Sequence, residues 1–186
     1  MRTWKMFAVL ALCLLMLASC GPKSTLITTP AKDMNLKAEQ VGTGYALSEE
    51  QGLEEFASSL DITNMEDATD ASYRMFQNES GGVVLSLVIT LKKTATADDL
   101  KQLAGGFEEG FTGSMPGTTL EAYNPPSIGD EATGSKAEFP DLGMSMYFLS
   151  FRKANVIGVL AVVGTTDFAS EAIINGLGQT LGGQIK

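Results

Sequence analysis

From Val156 to Val163 the chain reads VIGVLAVV, eight residues without one polar side chain. A strand with one solvated face alternates apolar and polar residues, so this unbroken run predicts a central strand covered on both faces. Such a strand needs paired neighbours on both edges and a layer of other elements above and below. The rest of the chain is therefore read for what could supply them.

Strand neighbours are plentiful. Val83, Leu85, Leu87, Ile89 and Leu91 alternate with Val84, Ser86, Val88, Thr90 and Lys92. The segment before it, Thr69 to Gln77, has strand character, and Asn78-Glu79-Ser80-Gly81-Gly82 is turn material, so the two form a hairpin. Ile128 to Phe139, a Pro140-Asp141-Leu142-Gly143 turn, and Met144 to Phe151 lead through Lys153-Ala154-Asn155 into Val156. Short strands are expected between Leu36 and Leu47 and at Leu120 to Tyr123. Helices come from three stripes. Leu53, Phe56, Ala57 and Leu60 follow a capping box at Ser48-Glu49-Glu50-Gln51. Leu100, Leu103, Ala104, Phe107 and Phe111 follow Thr96-Ala97-Asp98-Asp99. Ala169, Ile173, Leu177 and Leu181, with Ile174 beside them, follow Thr165-Thr166-Asp167 and end at Gly182-Gly183. Gly105, Gly106 and Gly110 each cost the second helix about 1 kcal/mol relative to Ala, or let something pack close. The expected fold class is α+β: an antiparallel meander packed against about three amphipathic helices in a single layered domain.

The front of the chain reads differently. Arg2 and Lys5 precede an apolar run, Met6 to Ala18, which ends in small residues and Cys20. The run is shorter than the roughly 20 residues a membrane-crossing helix needs, and it has the parts of a secretory signal. Leu17-Ala18-Ser19-Cys20 resembles the lipobox of bacterial lipoproteins. That resemblance implies a signal peptide over residues 1–19, a lipidated N-terminus at Cys20, and a membrane partner held through that lipid. Gly21 stands where some Gram-negative lipoproteins carry a retention Asp, which points to the outer membrane in such a host. Residues 20–35, short of large apolar side chains and broken by Pro22 and Pro30, are expected to form a flexible tether of roughly 20 Å span. The globular domain is expected over residues 36–186.

Composition narrows the function. Loss of Arg2 and Lys5 with the leader takes the formal charge from −9 to −11, and an acidic body has no counterion-release route to nucleic acid. The two cysteines, Cys13 and Cys20, leave no internal disulfide in the domain. There is no histidine, so the usual neutral-pH base and the commonest zinc ligand are missing. Ser150-Phe151-Arg152-Lys153 fits a serine–lysine pattern, but on a strand positions i and i+3 point to opposite faces. Adjacent acids such as Asp98-Asp99 and Glu108-Glu109 diverge on a helix and suit solvated faces.

No catalytic residue, cofactor or metal centre is expected. The reading is a lipid-anchored, non-catalytic binding or interaction module of the cell envelope, meeting an envelope protein or a small ligand. The expected surface lies near the loop Gly113 to Pro126, at Tyr123, with Asp130 and Glu131 and the thioethers Met144 and Met146. The alternative is a carrier of an apolar ligand or a metal, with Phe107, Phe111, Met144, Met146, Tyr147 and Phe148 around a pocket. A carboxylate hydrolase is the third reading, and it needs two converging acids. Ile128-Gly129-Asp130-Glu131-Ala132, with the hairpin ending in Arg152-Lys153-Ala154-Asn155, resembles the back half of small α+β domains of secreted and lipid-anchored bacterial proteins. That implies a fold type and no reaction.

Overall fold

The computed structural model describes residues 25–59, 67–113 and 118–186. The leader, Cys20, Leu60 and residues 114–117 of the loop after Gly113 lie outside the described residues. Seven strands form one open sheet: β1 (Ala46–Gly52), β2 (Ala68–Gln77), β3 (Val83–Leu91), β4 (Glu121–Tyr123), β5 (Glu131–Phe139), β6 (Met144–Lys153) and β7 (Val156–Thr165). Their order is β1-β2-β3-β7-β6-β5-β4, and every pair is antiparallel. β7 is the middle strand, as its composition requires. It runs against β3 from Thr90↔Val156 to Val83↔Val163, and against β6 from Lys153↔Val156 to Met144↔Thr165.

Among the described residues the α-helices are α1 (Ala31–Met34), α2 (Ala38–Val41), α3 (Leu53–Ser59), α4 (Ala97–Gly113) and α5 (Glu171–Gln184). One face of the sheet, carrying Phe76, Val84, Val88, Leu149, Phe151 and Leu160, is covered by α5 and by the N-terminal segment with Ala31, Met34 and Leu36. The other face, carrying Leu87, Ile89, Ile157 and Val159, lies under Phe56 of α3 and Leu100 of α4, with Leu85, Met146, Phe148 and Ala161 as a second cluster. Burying a side chain such as Phe151 or Leu160 contributes roughly 1.5–3 kcal/mol, and both are fully buried.

The structure departs from the sequence expectations at four places. The tether does not extend to residue 35. Ala31, Met34, Asn35 and Leu36 are fully buried, and the segment from Ile27 is strapped to the sheet. Asn155 Oδ1 accepts from the Ile27 N–H at 2.6 Å, and Asn155 Nδ2 donates to the carbonyls of Ile27 and Leu91. Asp70 accepts from the Ala31 N–H. Asn35 donates to the Ser72 and Ser86 carbonyls and accepts from the Ser86 hydroxyl and the Leu36 N–H. Secondly, the stretch after Leu36 begins with helix α2 rather than an edge strand, and β1 starts only at Ala46.

Thirdly, Ser48 to Gln51 belong to β1 and do not cap a helix. The register slips between Leu47 and Glu49, and the Ser48 hydroxyl donates to the Met75 carbonyl there. The side chain reaching back to the start of α3 is Glu55, which accepts from the Gly52 N–H. Lastly, α5 is capped by Ser170, not by Thr165 to Asp167, and it runs past Gly182-Gly183. The box at Thr96 and Asp99 forms as expected: the Thr96 N–H donates to Asp99 Oδ2 and the Asp99 N–H donates to Thr96 Oγ1.

Candidate functional site

The residues singled out in the sequence do not converge. Glu131 pairs with Arg152 at one end of the β5–β6 ladder, and Met144 pairs with Phe139 at the other. Met146 is fully buried among Leu85, Ala137, Phe148 and Ala161, where a thioether fills core space. Tyr147 points to the opposite face, so the pocket imagined around Met144 to Phe148 is a solid cluster on one side. Phe107 packs edge-on against Phe148, with ring centroids 6.2 Å apart. The Phe111 side chain lies outside the described residues. Tyr123 is half-buried. It meets Tyr147 edge-on at 6.2 Å and lies so close over Gly134 that a Cβ there would strike its ring. Burial, with the Glu171 carboxylate adding to it, holds the Tyr123 phenol well above its ordinary pKa.

Asp130 and Glu131 turn out to be a clasp. Gly129 has φ +65°, and a Cβ there would run into the Arg152 carbonyl. The Asp130 N–H donates to that carbonyl at 2.8 Å, and the Asp130 carboxylate accepts from the N–H of Ala154, itself left-handed at φ 52°. Glu131 accepts from Arg152 Nε at 2.9 Å, and Arg152 Nη1 reaches the Ala95 carbonyl. The Gly-Asp-Glu turn and the Arg-Lys-Ala-Asn tip thus lock each other, which gives that motif a structural role. Lys153 caps the C-terminal end of α5 through the Gly182 and Ile185 carbonyls. Ser150 lies on the opposite face of β6 from Lys153, so no serine–lysine pair forms. Among the described residues no three His, Cys, Asp or Glu side chains are grouped to hold a metal ion.

A different feature stands out. α3 lies beside β1 and β2, and α4 crosses toward β6, which leaves a groove between them over β3 and β7. It is open to one side, and its volume of about 1180 Å³ lies above the roughly 300–1,000 Å³ usual for small-molecule sites. Leu87, Ile89, Leu91, Ile157 and Phe56 beneath it are at most 8% exposed and belong to the packed core, so the part-exposed apolar lining is Leu103 and Phe107. Phe56 is fixed by stacking on Tyr73, with centroids 5.7 Å apart. Gly105, Gly106 and Gly110 stand on the α4 wall, and a Cβ on any of them would meet nothing within 4 Å among the described residues. The rim is mostly acidic, with Asp67, Asp98, Asp99 and Glu109 against Lys101. Asp67 is engaged by Lys93 at 2.5 Å. The hydrogen bond from the Thr96 backbone N–H holds the Asp99 carboxyl below the usual range, which suits a cap and not a proton donor. The glycines were the sequence signal for this groove. Its floor residues read only as core.

The fold defines a class: an open, wholly antiparallel sheet with helices on both faces, an α+β domain. It is similar to the extracellular domain of PknH from Mycobacterium tuberculosis, with a TM-score of 0.53 at 8% identity over 83% of this chain and 94% of that one. An Rv0999 ortholog from Mycobacterium smegmatis aligns over 77% of this chain and 90% of that one at 8% identity, with a TM-score of 0.44. At such identities the likeness is one of fold, and only the first is close enough in shape to bear on it. No protein-family model matches the sequence, and no curated protein matches it either. No helix among the described residues is long and apolar enough to cross a membrane.

Proposed function

We propose that this chain is a lipid-anchored, extracytoplasmic, non-catalytic binding module of the bacterial cell envelope, and that the groove between α3 and α4 holds an apolar ligand. The groove is the observation that carries the reading: a broad, open recess above the core, with part-exposed Leu103 and Phe107 and a glycine-lined wall. The lipobox-like Leu17-Ala18-Ser19-Cys20 supports the address, and a fold shared with an extracellular domain is in keeping with it. The absence of histidine from the sequence, and the commitment of Asp67 and Asp99 to Lys93 and Thr96, weigh against acid–base chemistry in the groove.

Two measurements test the reading. Membranes from cells expressing the full chain are washed and fractionated: the natural chain stays with the membrane and Cys20→Ser appears in the wash. The purified chain is then titrated with diphenylhexatriene, whose fluorescence rises on entering an apolar site, and Gly106→Phe, which fills the groove from the exposed side of α4, abolishes the rise. A Cys20→Ser chain that remained membrane-bound would sink the anchor. Dye uptake untouched by Gly106→Phe would sink the groove.

A further inference from the structure

α4 is held to the sheet unevenly along its length. Its first half starts from the Thr96–Asp99 box and buries Leu100 and Ala104. Just before it, the Ala95 N–H donates to the Ala154 carbonyl, and the Ala95 carbonyl accepts from Arg152. From Gly105 to Gly113 no described side chain is buried. Phe107 meets Phe148 edge-on, and the buried Ser135 hydroxyl donates to the Glu108 carboxylate. Ser135 and Phe148 are cross-strand partners, so both contacts fall on one rung of the sheet.

Gly105 and Gly106 stand between the halves, and Gly110 lies within the second. A Cβ on any of these glycines meets nothing within 4 Å among the described residues, so packing calls for none of them. Each disfavours the helix about fivefold relative to Ala, which is about 1 kcal/mol. A pair of such residues is where a helix kinks. The core divides at the same point. Leu100 and Leu103 pack with Leu87, Ile89 and Ile157. Beyond the glycine pair, Phe107 reaches the second cluster of Leu85, Ala137, Met146, Phe148 and Ala161. Few buried contacts and an exposed backbone are the physical content of low local stability.

We infer that Phe107 to Gly113 form a lid, hinged at Gly105 and Gly106 and latched by the Glu108–Ser135 hydrogen bond, which opens onto the apolar cluster around Met146 and Phe148. With the lid shut, no member of that cluster is more than 4% exposed. Opening gives the domain an apolar site that its closed form lacks. The lid is a property of α4, and it stands whether or not the recess between α3 and α4 takes a ligand.

A thiol reads the opening. Ala161→Cys places one inside the cluster, and Ala169→Cys places one in the core of the α5 face. Each full-length variant is purified and treated with N-ethylmaleimide. Peptide mass spectrometry follows the modified position, so Cys20 does not interfere. Position 161 should react about tenfold faster than position 169 or more, because a local opening costs less than global unfolding. In the Ala161→Cys chain, Gly105→Ala and Gly106→Ala should each slow the reaction about fivefold. Ser135→Ala should speed it about tenfold, through loss of one hydrogen bond to a charged group. Gly110→Ala stiffens the lid but not the hinge, and should leave the rate unchanged. Ala137→Cys is the second reporter should Ala161→Cys fail to fold. Equal rates at 161 and 169 would overturn the lid, because only global unfolding would then expose the cluster. Gly110→Ala as slow as Gly106→Ala would overturn the hinge, because α4 would then be fraying from its end.

Discussion

The two faces of the central sheet are built from similar residues and finished in opposite ways. On the α5 face the helix sits close. A Cβ at Gly178 would lie 2.8 Å from Ile128 and 3.0 Å from Leu149, and one at Gly182 would lie 2.7 Å from Ile128. Those glycines are demanded by packing, and the N-terminal strap closes what α5 leaves open. On the other face, Gly105, Gly106 and Gly110 of α4 meet nothing within 4 Å among the described residues, and they border a groove above the core. The same residue type, weak in any helix, is explained by contact on one face and by space on the other. A glycine in a helix therefore has to be interpreted from what stands opposite it.

That contrast can be broken by substitution. Gly178→Val forces a branched side chain into Ile128 and Leu149 and should cost about 1–3 kcal/mol in urea unfolding. A neutral result would mean that α5 is not seated as described. Next in size, Asn155→Ala removes the clamp on Ile27 and leaves the Leu91 carbonyl without its side-chain donor. Leaving a buried polar group unpaired costs about 1–3 kcal/mol, and release of the strap should let trypsin cut after exposed Lys32 much faster than in the natural chain. Protection at Lys32 unchanged in the variant would show that the strap is held by other contacts.

On the groove side the sign reverses. Gly106→Ala should stabilise by up to about 1 kcal/mol, because the helix gains and nothing is struck; a loss would show that the wall is packed after all. The smallest effect sits at the start of α4. Asp99→Ala removes half of the Thr96 box and should cost up to about 1 kcal/mol near neutral pH. The Asp99 carboxyl titrates below its ordinary value in the folded chain. Its contribution is therefore present above the unfolded pKa of about 4 and fades as pH falls through the folded one. Variant and natural chain should converge in acid, and a gap independent of pH would remove the carboxylate from the explanation.

Much of the sheet was legible because its signals are local. Turn residues at 78–82 and 140–143 and alternation through Val83–Leu91 place strands without reference to the rest of the chain. Errors arose where order is imposed from a distance. Residues 20–35 look like a tether because they are short of large apolar side chains and broken by Pro22 and Pro30, yet Asn155 and Asn35 bind the part from Ile27 to groups 128 and 37 positions away. The Ser48 pattern fits a helix cap and a bulged strand equally well, and pairing with β2 decides between them. Asp130 and Glu131 were legible as special residues but not in role, since the Arg152 carbonyl and Ala154 N–H that Asp130 engages, and the Arg152 guanidinium that Glu131 engages, are brought to them only by the pairing of β5 with β6. The groove itself could not be read, because the residues beneath it, such as Leu87 and Ile157, are ordinary core residues and the space beside Gly105, Gly106 and Gly110 depends on how α4 is seated.

The sequence by itself determined that the sheet has an interior strand with both faces buried, and that three amphipathic helices are available to cover it. It also holds Leu17-Ala18-Ser19-Cys20, which resembles a lipobox. Only the tertiary structure decided how the helices divide between the faces, which glycines are filled against and which face space, and where the strap begins. The reason is physical. Periodicity and turn chemistry act over a few residues and fix the elements, whereas seating one element on another depends on shape and hydrogen-bond partners brought together only by the folded chain.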